Sequence, residues 1–312
     1  MLKKNNHIPV LLKEVIKFLK IKENGIYIDC TFGLGGHSKH ILKKIGKNGY
    51  LYAIDKDPIS TKFAKQIKNK NFMFINDSFK NLIFHTNKLN ITKKVNGILL
   101  DLGFSNNQIK DKERGFSFML NGPLDMRFNQ TTGKSAKDWI NESDEKEIFK
   151  IIKKFGQEKF AKKIAKSIVN YRKKKKIVNT LELSKIIKKN VNIKNRKKNP
   201  ATKTFQAIRI HINKELKCIK KILKDSLKIL SNGGRLLIIS FNSLEDKIIK
   251  NFMKKNSKNV EIPNKLPITN KEIEYLNSKK KLKLLKKILP SKKEINKNIK
   301  SRSAILRIAE LK

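Results

Sequence analysis

Three features in the first third of the chain have the residue types and spacing for chemistry on a nucleoside-like ligand. The first is the loop Gly33-Leu34-Gly35-Gly36, where missing side chains let a ligand approach backbone N–H groups. The second is a pair of acids, Asp55 and Asp101, each closing an apolar run. An acid roughly 20 residues beyond a Gly-rich loop typically accepts hydrogen bonds from ribose hydroxyls. The third is Phe79, at the tip of the polar turn Asn76-Asp77-Ser78-Phe79, suited to a face or edge contact with adenine. The dinucleotide fingerprint G-x-G-x-x-G wants a third glycine where Ser38 stands. A broken phosphate fingerprint beside an intact ribose acid favours S-adenosylmethionine, which has ribose hydroxyls but no pyrophosphate, over NAD. The bland alternative is a Gly-rich turn followed by a helix-capping acid.

The elements that must position these residues follow from periodicity. Ile26, Ile28 and Cys30 alternate with Tyr27 and Asp29, which predicts a short buried strand feeding the glycine loop. Ser38–Ile45 reads as a helix with Ile41, Leu42 and Ile45 on one face. Tyr50–Ile54 is a second strand ending at Asp55, Phe72–Ile75 a third, and Ile98–Leu100 the centre of a fourth ending at Asp101. A fifth, Arg235–Ser240, comes more than a hundred residues later, far beyond the dozen or so residues a parallel crossover needs. The intervening sequence has helical spacing, with helices expected at Asp144–Phe155, Gln157–Tyr171 and Leu181–Lys189, the last capped by Thr180. We therefore expect an α/β, Rossmann-like sheet formed by residues 1–105 and 206–312, interrupted by an all-helical domain over 106–205. Ala304–Ala309 reads as a last, antiparallel strand at the sheet edge, and Glu261–Pro290 fits no element well.

Composition narrows the setting. The 312 residues carry a formal net charge of +48, which points to a polyanionic partner such as nucleic acid. The lysines must be discounted, because a chain crowded with Lys, Asn and Ile has the signature of A/T-biased codons. Arginines stand against that bias and say more. Cys30 and Cys218 are too few for a disulfide framework or a Cys-rich zinc site. The five histidines lack ligand spacing, so no metal is expected. No apolar run is long enough for a membrane span. Lys13 and Glu14 break the first apolar stretch, which predicts no signal peptide and a cytoplasmic address.

A series of blocks resembles one family along nearly the whole chain. They are His7–Val15, the DCTFGLGGHS block from Asp29, Ala53–Pro58, Asp101–Ser105, Arg114–Phe128, Phe155–Ile168, Asn199–Leu216, Gly233–Phe252 and Ser301–Glu310. In this order they resemble the MraW/RsmH family of bacterial methyltransferases. That resemblance implies a class I S-adenosylmethionine-dependent fold with an inserted helical domain. The implied activity is methylation of the exocyclic N4 of a cytidine in 16S rRNA of the small ribosomal subunit. It also implies cofactor contacts at Gly35, Gly36, His37, Asp55, Phe79, Asp101 and Gln108. On chemistry alone His37 is equally a helix-start cap, and Gln108 is a surface amide.

Cytosine N4 is a poor nucleophile that needs an acceptor for its N–H, and Asp101 is the candidate catalytic residue, with a pure cofactor contact as the alternative. Carbon-5 methylation would need a cysteine nucleophile, and Cys30 in the first strand reads as core. The helical domain is expected to hold RNA through Arg114, Arg127, Lys203 and Arg209. Internal pairs Arg127–Asp125 and Arg209–Glu215 are the structural alternative. Phe104, Phe116 and Trp139 are candidates to stack on a splayed base. Two departures from the family pattern stand out: Asn242 where His is expected, and Asn106-Asn107 where Ser-Pro is usual. They keep open a catalytically eroded RNA-binding assembly factor, and a same-fold methyltransferase acting on DNA or protein stays open because fold does not fix substrate. Monomer and homodimer are both compatible with the sequence.

Overall fold

A computed structural model describes residues 8–191, 199–257 and 281–312. His7 and most of 261–290 lie outside the described residues. The chain divides into two compact units, Met1–Gly103 with Leu216–Lys312, and Phe104–Glu215. Among the described residues no helix is long and apolar enough to cross a membrane.

The first unit is built on a seven-stranded sheet. In chain order its elements are α1 (Leu12–Leu19), β1 (Ile26–Asp29), α2 (Gly36–Leu42), β2 (Tyr50–Ile54), α3 (Ile59–Ala64), β3 (Phe72–Ile75), α4 (Leu82–Lys88) and β4 (Val95–Asp101). The short α5 (Asn106–Lys110), in the second unit, follows β4. The strands lie in the order β3-β2-β1-β4, followed by β5 (Leu230–Ser240), β7 (Ile305–Leu311) and β6 (Leu282–Ile288). β3, β2, β1, β4 and β5 run parallel; β7 is antiparallel to β5, and β6 to β7. Apolar runs such as Ile98-Leu99-Leu100 are buried throughout, as a parallel sheet covered on both faces requires. The chain steps outward from β1 to β3 on one side, then resumes at β4 on the other. The topological switch point therefore lies between β1 and β4, and ligands of open α/β sheets bind at the carboxyl ends of the strands there. Asp29 and Asp101 are the last residues of those two strands.

Two expectations about the C-terminal region need correction. The final strand is not the sheet edge: β7 pairs with β5 on one side and β6 on the other. β6 escaped notice because Lys283, Lys286 and Lys287 erase its alternation, a composition that suits an exposed edge strand and discourages pairing with another chain.

The second unit is helical: α6 (Ala136–Glu142), α7 (Glu145–Gly156), α8 (Ala161–Lys174), α9 (Thr180–Lys189) and α10 (Thr202–Ile212) enclose one apolar core. It extends ten residues past the expected boundary at 205, because Ala207 and Ile208 of α10 belong to this core and Asn213 binds the loop at 126–128. The cap of α9 is Asn179, not Thr180; its side chain and that of Glu182 reciprocate in a capping box. α11 (Glu215–Ile229) leads back into β5, α12 (Ser243–Ser257) follows it, and α13 (Lys292–Lys297) precedes β7.

Within the helical unit Arg209 donates to both Glu215 oxygens, at 2.9 and 3.1 Å, and both residues are buried. A buried pair loses far more from removal of one partner than from removal of both. Arg209→Ala is expected to destabilise the protein by about 3–5 kcal/mol, and the Arg209→Ala/Glu215→Ala double variant by clearly less than the sum of the single losses. Denaturant unfolding across the four-protein cycle checks this.

Candidate active site

The carboxyl ends of β1, β2 and β4 bring three acids to one edge. Asp29 is buried, with 1% exposure. One of its oxygens accepts from Ser38 Oγ at 2.7 Å and the other from the Thr31 backbone N–H at 3.1 Å. Thr31 Oγ1 in turn accepts from the Asp101 N–H at 2.7 Å. Asp29 thus ties the end of β1, the first turn of α2 and the end of β4 together. Burial pushes its carboxyl up, while the His37 ring and the Ser38 hydroxyl pull it back down.

Asp55, just past β2, accepts from Gly33 N–H at 2.7 Å and from Asp57 N–H at 2.9 Å. Burial raises its carboxyl from the usual carboxylate value to about 6, against the pull of those two hydrogen bonds. Each oxygen keeps a second lone pair for a ribose hydroxyl. Gly33 and Gly35 both sit at positive φ, +55° and +75°, where an L side chain is strained. A Cβ on Gly35 would also meet the Phe32 ring at 2.8 Å. The loop conformation is therefore closed to any residue but glycine at that position.

His37, in the first turn of α2, is 6% exposed, yet neither ring nitrogen has a hydrogen-bond partner. Nε2 lies 3.5 Å from Asp101 Oδ2, an ion-pair distance without a hydrogen bond, and Asp101 Oδ1 is also unpartnered. Unsatisfied buried polar atoms are uncommon and call for an explanation, and at the carboxyl ends of the strands a ligand contact is one. Phe79 sits in a single 3₁₀ turn, Phe79–Asn81, packed partly on the sheet core. The turn is held by Asp77, which accepts from Ser78 N–H, Asn81 Nδ2 and His85 Nε2, the last at 2.7 Å.

Gly35, Gly36, His37, Asp55, Phe79 and Asp101 all belong to the sheet unit, and the orphaned polar atoms, the side-chain-free loop and the flanking acid fit an adenosyl cofactor. Gln108 belongs to the helical unit. Its Oε1 accepts from Ser105 N–H at 2.8 Å and its own N–H donates to Ser105 Oγ, a capping box on α5. Ser105-x-x-Gln108 is that motif's sequence signature, so this role was legible. Asp29 and Thr31 were missed: an acid ending a strand looks like ordinary alternation until its burial is known.

The arginines expected to meet RNA are engaged internally. Arg114, buried, donates to the Phe128 carbonyl at 2.7 Å, and Arg127 grips Asp125 at 2.9 and 2.6 Å. Lys203 Nζ donates to the Gln157 carbonyl. Phe116 and Trp139 are core residues, so neither stacks on a base. Phe104 is 41% exposed. It stacks parallel to Phe116 at 6.2 Å, with Phe128 beyond at 5.4 Å, and the Arg209 guanidinium lies 4.4 Å from its ring centre. Asn242 has a defined job: Oδ1 accepts from Leu244 and Glu245 N–H at 3.1 and 3.0 Å, capping α12.

The five-strand parallel core with its acid-lined switch point defines a Rossmann-like, nucleoside-cofactor-binding class of enzyme. Comparison with known proteins narrows the class. The model of the MraW methylase family matches residues 4–312. "Ribosomal RNA small subunit methyltransferase H" of Buchnera aphidicola subsp. Schizaphis graminum is 56% identical over 306 residues, 98% of each chain. The protein of that name from Wigglesworthia glossinidia brevipalpis is 53% identical over 97% of this chain and 98% of its own. That from Alteromonas mediterranea is 48% identical over 97% of each. The chain belongs to the MraW methylase family and is an S-adenosylmethionine-dependent methyltransferase.

Two outcomes follow from this geometry. A carboxyl raised to about 6 is protonated as pH falls through that value and then cannot accept from a ribose diol. Affinity for S-adenosylmethionine, measured by calorimetry, is expected to weaken below about pH 6, and Asp55→Asn to lower affinity and abolish the pH dependence. Because the folded value is raised, the stability Asp55 contributes is present at acid pH and lost as pH rises through about 6. The fall in thermal stability that this causes as pH rises through about 6 is expected to be missing from Asp55→Asn. Asn242→Ala is expected to cost about 1 kcal/mol in denaturant unfolding, and Asn242→Asp much less.

Proposed function

We propose that this protein transfers a methyl group from S-adenosylmethionine to the exocyclic N4 of a cytidine in 16S rRNA, acting in the cytoplasm on an assembled or nearly assembled small subunit. The cofactor, when bound, supplies an electrophilic methyl group on a sulfonium. Gly35 and Gly36 would admit its methionine part to the backbone, Asp55 would hold the ribose hydroxyls, and Phe79 would contact adenine.

The observation that carries the chemistry is the unpartnered Asp101 Oδ1 at the switch point. The cytosine amine delocalises its lone pair into the ring, so it must be held and its growing positive charge met by a fixed acceptor. A carboxylate whose backbone N–H is anchored on Thr31 and whose Oδ1 has no hydrogen-bond partner can take one N–H of that amine. The rRNA substrate is supported by the relatives' names. The helical unit would hold the RNA, with the basic end of α8, Lys173-Lys174, facing phosphate and Phe104 meeting the splayed base. Asn242, one motive for an eroded assembly factor, is accounted for as a helix cap and leaves the acidic edge untouched.

The test is nucleoside mass spectrometry of small subunits from a strain lacking the modification, after incubation with the purified protein and labelled S-adenosylmethionine. Label is expected in N4-methylcytidine. Asp101→Asn should cut the rate by about a hundredfold or more while still binding the cofactor. Label in another nucleoside, in DNA or in protein would overturn the substrate. A parallel loss of cofactor affinity would reduce Asp101 to a binding residue.

A further inference from the structure

We propose that His37 is the proton acceptor behind Asp101, taking on the proton that the substrate amine releases through the Asp101 carboxylate. The proposal rests on the methyl-transfer function above and assigns the imidazole ring a role beyond contact with the cofactor. Its basis is an arrangement that packing alone leaves unexplained. A 94%-buried imidazole with both nitrogens unpartnered stands 3.5 Å from a carboxylate oxygen whose sister oxygen is also unpartnered.

The chemistry needs such a group. Once N4 is methylated it carries one proton too many. The N–H bond to Asp101 breaks with its electron pair left on nitrogen, neutralising the base, and an O–H bond forms on the carboxyl. A protonated carboxyl at the centre of the site would no longer stabilise the next amine. The neutral His37 tautomer protonated on Nδ1 presents the Nε2 lone pair toward Asp101 Oδ2. The carboxyl turns about its Cβ–Cγ bond so that the new O–H takes the Oδ2 position, and transfer of its proton to Nε2 restores the carboxylate and leaves an imidazolium. Imidazole is the side chain whose ordinary titration lies near neutrality, so it can accept this proton and then lose it to solvent.

Asp29 interacts with the ring electrostatically, and Asp101 Oδ2 lies 3.5 Å from Nε2. Asp55 is the third acid of the edge. Of the other ionisable groups on α2, His40 is occupied by the Gly36 carbonyl at 2.9 Å and Lys39 is exposed. The Ser38 hydroxyl is engaged with Asp29 and does not compete for the ring.

The experiment uses wild type, His37→Gln and Asp101→Asn in three measurements. In the ligand-free protein, the nitrogen-15 resonances of the His37 ring are expected to move on Asp101→Asn. His37→Gln should lose about tenfold to a hundredfold more in turnover on unmodified small subunits than in S-adenosylmethionine affinity by calorimetry, a general-base effect. The acid limb of its pH–rate profile should be displaced from that of wild type. His37 resonances indifferent to Asp101→Asn overturn the coupling. An affinity loss matching the loss of kcat/KM, with an unchanged pH profile, overturns the proton role and leaves a cofactor contact. Absence of methylation by the wild type, with affinity intact, overturns the function and the proton role with it.

Discussion

The site depends on one buried carboxylate. Asp29 is nearly inaccessible, and its two oxygens are satisfied by Ser38 Oγ and Thr31 N–H. Burying a charge without partners is prohibitive, and with good hydrogen bonds it becomes a device for specifying geometry. Here it fixes the first turn of α2, and through Thr31 Oγ1 the end of β4. His37 and Asp101 are neighbours because of this network, and the glycines between β1 and α2 let the chain turn tightly enough to form it. Burial is the main cause of the raised carboxyls of Asp29 and Asp55, and repulsion among neighbouring acids adds to it. A cationic sulfonium would relieve that repulsion, so the edge is electrostatically complementary to the proposed cofactor before any specific contact is counted.

The helical unit follows a different logic. Its arginines hold the unit itself together: Arg114 binds the Phe128 carbonyl, Arg127 clasps Asp125, and Arg209 pairs with Glu215 beside Phe104. RNA affinity then falls to the exposed lysines, which supply sequence-independent attraction to phosphate. Exposed apolar surface falls to few residues, among them Phe104, which follows Gly103 directly after the strand carrying Asp101.

Much of this was legible in the sequence, for identifiable reasons. Strand, glycine loop and helix reveal themselves because each imposes its own period, and Asp55 and Asp101 stand out because each terminates an apolar run. What failed to show was burial and partnership. Asp29 reads as one polar residue in an alternating strand, and Thr31 as a loop residue. Asn242 reads as a lost histidine until its Oδ1 is found on two backbone N–H groups. The arginines drew attention as survivors of a lysine-rich drift, but that drift filters surface positions. Arg114, Arg127 and Arg209, which withstand it, are fixed by internal geometry that lysine cannot reproduce. β6 was hidden because an edge strand made safe with lysines no longer looks like a strand.

The most direct test of this account is the affinity of folded Asp29→Ala protein for S-adenosylmethionine, measured by calorimetry. Both Asp29 oxygens are engaged within the protein, so a residue that only filled space there would leave binding unchanged. The account predicts at least about a tenfold loss, roughly 1.4 kcal/mol, because the first turn of α2 and the end of β4 lose their common anchor. Wild-type affinity in a variant that unfolds as cooperatively as the parent would contradict it.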